Sequence, residues 1–279
     1  MVATLHERAD DPVWVTSFTL YGKGETYLRT LAGGSFGRET AYKDLVASHA
    51  GKYAAGVLKP SKGRTSVNLI GLFYAGPTPV LIVRRPLDAK LPYWSRDGKV
   101  LVLTVHRDGT TVGFATVGTT YPIQRTARVV MTPGVDRDAS FRWAPDGRSL
   151  VADHGSGVRT YRTDGRVLRT LGGVGPLGGG EDVFSPSGRK LLTGCPYGDD
   201  APACMWDAVT GRPLGRIPAK VEGTEGWWDE NNLIVLTKKG TAYQVVVIDS
   251  RGTVLRVLAD MSKTAKEQNR IYLSYTPKE

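Results

Sequence analysis

The hydrophobic positions of the chain form short runs separated by turns that are rich in glycine. Val100–Val105 and 233–236 are typical of these runs, because nearly every residue in them is apolar. No helical period of 3.6 residues persists, and 262–268 is interpreted as a solvated loop. Strands that are covered on both faces have this continuous apolar character, so the pattern predicts an all-β fold.

One turn pattern occurs five times. Each copy has an aromatic or small residue, a small or polar residue, a turn with glycine or asparagine, and an apolar strand. The copies are Ala47–Lys52, Trp94–Lys99, Trp143–Arg148, Phe184–Arg189 and Trp228–Asn232. The second residues of successive copies are 47, 49, 41 and 44 residues apart, a spacing typical of β-propeller blades.

A second hairpin follows each of these turns, which makes four strands (a to d) per unit. Residues 13–31 are assigned to strands c and d without a preceding pair, and 270–276 is assigned to a single strand. Joined, they form a composite blade that closes the ring and removes exposed sheet edges. We therefore predict a six-bladed β-propeller over residues 13–276, with a closing blade as short as three strands and an N-terminal tail over 1–12.

The turns of the Ser-Pro-Asp-Gly-Arg type, with the Asp-x-x-x-Gly turns after strand c, resemble the WD-repeat and TolB-like β-propeller families. A literal Trp-Asp pair stands at Trp206-Asp207, but the Gly-His pair of strict WD repeats is absent from every unit. The sequence is therefore more similar to the TolB-like group. By analogy, the resemblance implies a scaffold or binding module, and the sensor part of an exported or membrane-anchored bacterial protein.

The charge balance is strongly basic, with a formal net charge of +10 and a pI near 9.6. The arginines recur about once per unit instead of forming one patch, and no recognition motif accompanies them. We therefore do not expect nucleic acid as the partner. The sequence contains no apolar run long enough to span a membrane, and its first residues do not resemble a signal peptide.

The two cysteines, Cys195 and Cys204, lie at the facing ends of a predicted hairpin, where a disulfide is sterically possible. A bridge favours an oxidising, extracytoplasmic compartment, whereas the absence of a signal peptide favours the cytoplasm. The alternative is a pair of unbonded, half-buried thiols. Localisation therefore stays open.

Candidate chemistry lies where strand b ends in successive units. Lys59, His106, His154 and Cys195 hold matching positions there. With Asp108 or Asp153, the two histidines could form a general-base or metal site at the channel mouth. The alternative is a set of solvated loop residues, and no third histidine is placed to complete a metal site.

The recurring aromatic residues, one Gly-rich segment and two polar side chains also suggest specific roles. The aromatic residues that recur in the five turns are expected to pack between blades. The Gly-rich segment 172–180 is interpreted as a flexible loop, with a role as a lid over the channel. Arg137 and Tyr197 are candidates for contact with a partner.

The sequence favours a monomeric, non-enzymatic module that binds a protein or peptide, with no cofactor and no metal. The alternative is a propeller lyase or hydrolase in which His106 and His154 act as acid and base.

Overall fold

The computed structural model describes residues 3–30, 34–49, 53–59, 61–71, 76–120, 123–196, 202–217 and 221–278. Their regular structure is almost entirely β-strand. The strands are, in chain order, β1 Ala3–Leu5, β2 Val13–Leu20, β3 Glu25–Arg29, β4 Phe36–Glu39, β5 Tyr42–Ala47, β6 Tyr53–Leu58, β7 Arg64–Gly71, β8 Pro77–Arg84, β9 Leu87–Trp94, β10 Val100–Arg107, β11 Thr110–Gly118, β12 Arg128–Met131, β13 Arg142–Trp143, β14 Ser149–His154, β15 Gly157–Arg162, β16 Val167–Leu171, β17 Lys190–Thr193, β18 Cys204–Asp207, β19 Pro213–Arg216, β20 Val221–Trp227, β21 Leu233–Lys239, β22 Ala242–Ile248, β23 Val254–Met261 and β24 Ile271–Pro277.

The strands of the described residues form six sheets. Their orders are β24-β2-β3-β4, β5-β6-β7-β8, β9-β10-β11-β12, β13-β14-β15-β16, β17-β18-β19 and β20-β21-β22-β23-β1. Each sheet is one blade, and the fold is a six-bladed β-propeller with a composite closing blade, as predicted.

The chain divides into two compact units. The first unit comprises Met1–Trp14, Gly155–Val158 and Thr170–Ile271, and the second comprises Val15–His154, Arg159–Arg169 and Tyr272–Glu279.

Each unit has its own hydrophobic core. In the first, Leu192, Ile217 and Val235 are fully buried. In the second, the ring of Phe141 lies 5.0 Å from that of Phe114 and 5.3 Å from that of Tyr161. Such offset and edge-on packing stabilises aromatic clusters beyond their buried area.

The recurring turns owe their shape to a carboxylate or hydroxyl that accepts backbone N–H groups. Asp146 Oδ1 accepts from the amides of Arg148 and Ser149, at 2.8 and 2.9 Å. In the preceding copy of the turn pattern, Asp97 accepts a hydrogen bond from the Ser95 hydroxyl at 2.7 Å. Local hydrogen bonds of this kind are why Asp and Ser favour turns.

The recurring aromatic side chains are buried, as expected: Trp94, Trp143 and Phe184 are at most 8% exposed. In the fifth copy of the turn pattern, however, the residue equivalent to these is Trp227 and not Trp228. Trp227 is 7% exposed and ends β20, whereas Trp228 lies 5.7 Å from the Arg256 guanidinium. Because two tryptophans are adjacent, the sequence pattern can be aligned on either of them. In the structure Trp227 pairs with Leu233 of β21, so the alignment on Trp227 is the correct one.

The closing sheet differs from its prediction. It has four strands, of which β24 is the first, and β2, β3 and β4 are the second, third and fourth. Residues 13–31 therefore supply the second and third strands, not the third and fourth. The missed strand β4, with the sequence Phe-Gly-Arg-Glu, is short and polar, so it carries little hydrophobic signal.

The N-terminal segment, expected as a tail, contributes a fifth strand to one sheet. Strand β1 pairs with β23, with Ala3 opposite Met261 and Leu5 opposite Ala259. The Arg256 guanidinium binds the carboxylate of the buried Asp11, which ties the end of this segment to β23.

The segment 262–268 is also more ordered than predicted. Thr264–Gln268 forms one π-helical turn in which Ala265 is buried and Lys263 pairs with Glu267. Of the lysines that suggested a loop, Lys263 is exposed and Lys266 is half-buried.

Candidate functional site

A cleft of about 720 Å³ lies within the second unit, between three loops that join consecutive strands. They are the β6–β7, β8–β9 and β10–β11 loops. Its lining residues are Ser61, Lys62, Gly63, Arg64, Thr65, Arg85, Pro86, Leu87, Asp88 and Asp108. A cleft of this size can enclose a drug-sized ligand or a few residues of peptide.

The β6–β7 loop forms one wall of the cleft. Its tight turn has Lys62 and Gly63 at φ of 50° and 66°, and the Arg64 amide donates to the Ser61 carbonyl at 3.0 Å. The turn therefore places Lys62 at its tip and Arg64 at the start of β7.

The β8–β9 loop is tied to that wall. The Arg85 amide donates to the Gly63 carbonyl at 2.9 Å, and the Arg85 side chain lies against Gly63. Arg64, which follows the β6–β7 loop, and Arg85, in the β8–β9 loop, are thus held at two loops that are hydrogen-bonded to each other.

Asp88 lines the cleft and is fixed in place by hydrogen bonds. Its Oδ1 accepts from the Thr65 hydroxyl at 2.7 Å and from the Ala89 amide at 2.9 Å, while Lys43 and Lys90 lie 3.9 and 3.8 Å away. Burial by itself would raise the pKa of Asp88, but the Thr65 hydrogen bond and the charge of Lys43 outweigh it and lower the pKa. Asp88 therefore stays ionised, and its single negative charge is shared between Lys43 and Lys90.

Three cations of the cleft have no such partner. Lys62, Arg64 and Arg85 are exposed, and within the described ranges no ion pair or side-chain hydrogen bond engages them. Asp108, at φ 50° in the β10–β11 loop, is likewise exposed and unpaired there. The cleft thus presents three uncompensated positive charges and one negative charge to solvent.

His106 lies at the end of β10, opposite Asp88 of β9. Burial lowers the pKa of its imidazole, the charge of Lys90 lowers it further, and the Asp88 carboxylate opposes both effects. His106 is therefore neutral at pH 7 and lies beside Asp88, which lines the cleft.

His154 has different neighbours. One ring nitrogen, Nδ1, lies 2.7 Å from Asp136 Oδ1, and the other, Nε2, contacts the Arg159 guanidinium. Both ring nitrogens of His154 are thus engaged by neighbouring side chains.

The other predicted residues are dispersed. Lys59 is exposed where the β6–β7 loop begins, Asp153 is half-buried near the end of β14, and Arg137 is exposed. The Arg137 carbonyl accepts from the Thr111 amide at 2.7 Å. Tyr197 lies outside the described residues. Among the predicted site residues, only Asp108 lines the cleft.

The two cysteines form the predicted disulfide, with their Cα atoms 5.0 Å apart. They lie in the first unit, where Cys204 is buried at the start of β18.

The described residues contain neither a cluster of metal ligands nor a membrane-spanning helix. No group of three or more His, Cys, Asp or Glu side chains is arranged to hold a metal ion. No helix in this part of the chain has the length and apolar character needed to cross a bilayer.

The pKa of the Glu225 carboxyl, on β20 of the first unit, is strongly raised. The protein packed around its carboxyl raises the pKa from 4.5 to about 7, against the opposing charge of Lys266. A carboxyl whose folded-state pKa is raised favours folding when protonated. Its contribution is fully present below pH 4.5 and is lost as the pH rises through about 7.

We therefore expect Glu225→Gln to be more stable than wild type at about pH 8, and the difference to vanish towards about pH 4.5. Urea unfolding across this pH range measures both curves. Glu222→Gln, at an exposed position of the same strand, is the matched control and should follow the wild-type curve. Parallel curves for wild type and Glu225→Gln would show that the carboxyl does not titrate in this window.

Comparison with known proteins identifies the fold. No protein-family model matches the sequence, and no curated protein matches it. Among solved structures, TolB from Acinetobacter baumannii is similar at a TM-score of 0.63 and 16% identity, over 98% of this chain and 68% of that one. A putative TolB from Agrobacterium tumefaciens is similar at 0.53 and 15%, over 97% and 100% of the two chains. A putative 6-phosphogluconolactonase from Bacteroides uniformis is similar at 0.53 and 12%, over 91% and 83%.

At such identities the similarity shows the fold, a β-propeller, and not the activity. The neighbours include TolB and a protein named as a putative 6-phosphogluconolactonase, and a shared fold does not imply a shared function.

Proposed function

We propose that this chain is a non-enzymatic binding module that takes a segment of a protein or peptide partner into the cleft of the second unit. The observation that carries the proposal is the set of uncompensated charges on Lys62, Arg64 and Arg85 around an open space of about 720 Å³. Charged side chains without internal partners are available to a ligand, whereas those used in folding are not.

The loops of the cleft support this function because they are pre-formed. The hydrogen bond between Arg85 and Gly63 and the anchoring of Asp88 hold the walls without a ligand. A pre-formed site spares the partner part of the cost of ordering the loops on binding.

The lyase or hydrolase alternative lacks such support. It needs His106 and His154 to share one substrate, but each has its own neighbours, and the ring of His154 is held by Asp136 and Arg159. No observation favours it over binding.

The test is selection of peptides from a phage-displayed random library on the immobilised protein, followed by affinity measurement for the enriched peptides. We expect Ser61→Trp, which places a large side chain at the rim of the cleft, to weaken their binding about tenfold or more. Ser250→Trp, at an exposed position in the β22–β23 turn, is the matched control and should bind as wild type does. Enriched peptides that bind Ser61→Trp as tightly as wild type would contradict the proposal, as would a selection that enriches none.

A further inference from the structure

We propose that the partner segment is acidic, and that the cleft recognises its carboxylates through Arg64 and Arg85. This inference rests on the function proposed above and specifies the chemistry of the ligand.

The arginines of the cleft differ from those used in the fold. Arg256 binds the Asp11 carboxylate, and Arg29 donates to the Val15 carbonyl. Arg64, at the start of β7, and Arg85, in the β8–β9 loop, have no side-chain partner within the described residues. The fold thus holds two guanidinium groups at one opening without using either.

The nearby negative charge of Asp88 is already used within the fold. Asp88 is flanked by Lys43 and Lys90 and anchored by Thr65, so it does not neutralise the arginines. A guanidinium offers a planar pair of N–H donors that matches a carboxylate. Two of them at one cleft favour a ligand with more than one carboxylate.

A peptide differs here from a polyphosphate or nucleic acid, which arginine binds equally well. The cleft is not uniformly basic, because the exposed Asp108, which has no partner among the described residues, also lines it. A continuous polyanion brings no donor for this carboxylate and is repelled by it. An extended acidic peptide alternates its carboxylates with backbone N–H donors, so it satisfies both signs of charge.

The experiment measures fluorescence anisotropy of a fluorescein-labelled peptide of alternating Glu and Gly, with capped ends. The same peptide with Gln in place of Glu is its neutral counterpart. We expect the Glu peptide to bind wild type about tenfold or more tightly than the Gln peptide. Binding should weaken as salt rises, as it does for exposed charges.

Matched variants separate local recognition from the general basic charge of the protein. Arg64→Gln/Arg85→Gln should lose about tenfold or more in affinity for the Glu peptide. Arg148→Gln/Arg251→Gln removes the same charge from two exposed turns away from the cleft lining and should stay within about twofold of wild type. Arg64→Lys/Arg85→Lys keeps the charge and should retain part of the affinity. Thermal unfolding establishes that each variant is folded.

Three results would overturn the inference. Equal binding of the Glu and Gln peptides would show that carboxylates are not recognised. Loss of affinity in Arg148→Gln/Arg251→Gln as large as that in the cleft variant would show a general charge effect. Tighter binding of polyphosphate, with the same dependence on Arg64 and Arg85, would identify a phosphate site. If library peptides bind at the cleft but do not respond to Arg64→Gln/Arg85→Gln, the acidic specificity fails while the proposed function stands.

Discussion

Gly175→Ala is expected to lower the free energy of unfolding by about 3–5 kcal/mol. Gly175 has a φ of 80°, which an alanine adopts only with strain, and a Cβ placed there would lie 1.9 Å from the Gly194 carbonyl oxygen. That oxygen belongs to the backbone just beyond β17, where the Gly194 amide donates to the Pro176 carbonyl at 2.8 Å. The added methyl group therefore forces two hydrogen-bonded backbone segments apart.

The neighbouring glycines provide graded controls for this prediction. Gly173 also has a left-handed backbone, at φ 73°, but a Cβ there meets nothing within 4 Å, so Gly173→Ala should cost only about 1 kcal/mol. Gly172 has neither constraint, and its substitution should change the stability by less than about 0.5 kcal/mol. Urea unfolding of the three variants gives the ranking. Equal losses for Gly175→Ala and Gly173→Ala would mean that the contact with Gly194 is absent and that only the backbone conformation matters.

These contacts also correct the interpretation of the Gly-rich segment as a flexible lid. The Gly175 amide donates to the Ser156 carbonyl at 2.8 Å, and the Gly178 amide donates to the Leu192 carbonyl at 3.2 Å. The glycines are required because backbone approaches backbone there. Sequence composition alone does not distinguish this reason for glycine from flexibility.

The blade architecture was predictable because its signals are local. The turn at Asp146 and the apolar run of β10 each follow from a few adjacent residues. The order of strands in the closing sheet was not, because it depends on pairing between β24 and β2, at opposite ends of the chain. Apolar periodicity identifies a strand but does not specify its neighbours.

The candidate site was predicted only in part, for a related reason. The sequence predicted candidate site residues where the second strand of each blade ends. Asp108, which follows β10, lines the cleft, and His106, at the end of β10, lies opposite Asp88. Nothing in the sequence distinguishes Arg64 and Arg85 from the other arginines, because their importance lies in having no side-chain partner among the described residues. Which cations are neutralised depends on contacts such as Asp88 with Lys43, across separate strands.

Reduction of the Cys195–Cys204 disulfide is expected to lower the free energy of unfolding by about 2.5 kcal/mol. The cysteines are nine residues apart, so the bond closes a short loop in the unfolded chain and limits its conformational entropy. Urea unfolding with and without reductant measures the loss, and thiol titration of the unfolded, unreduced protein should find no free thiol.

The variant Cys195→Ala/Cys204→Ala separates the bond from other effects of the reductant. Its unfolding should not respond to reductant, and its stability should be close to that of the reduced wild type, apart from the cost of a smaller side chain at the buried Cys204. If the reductant destabilises this variant as much as wild type, the effect does not come from the bond. If wild type is insensitive to reductant and shows two titratable thiols, the cysteines are unbonded in solution, and the argument from the disulfide to an oxidising compartment fails with them.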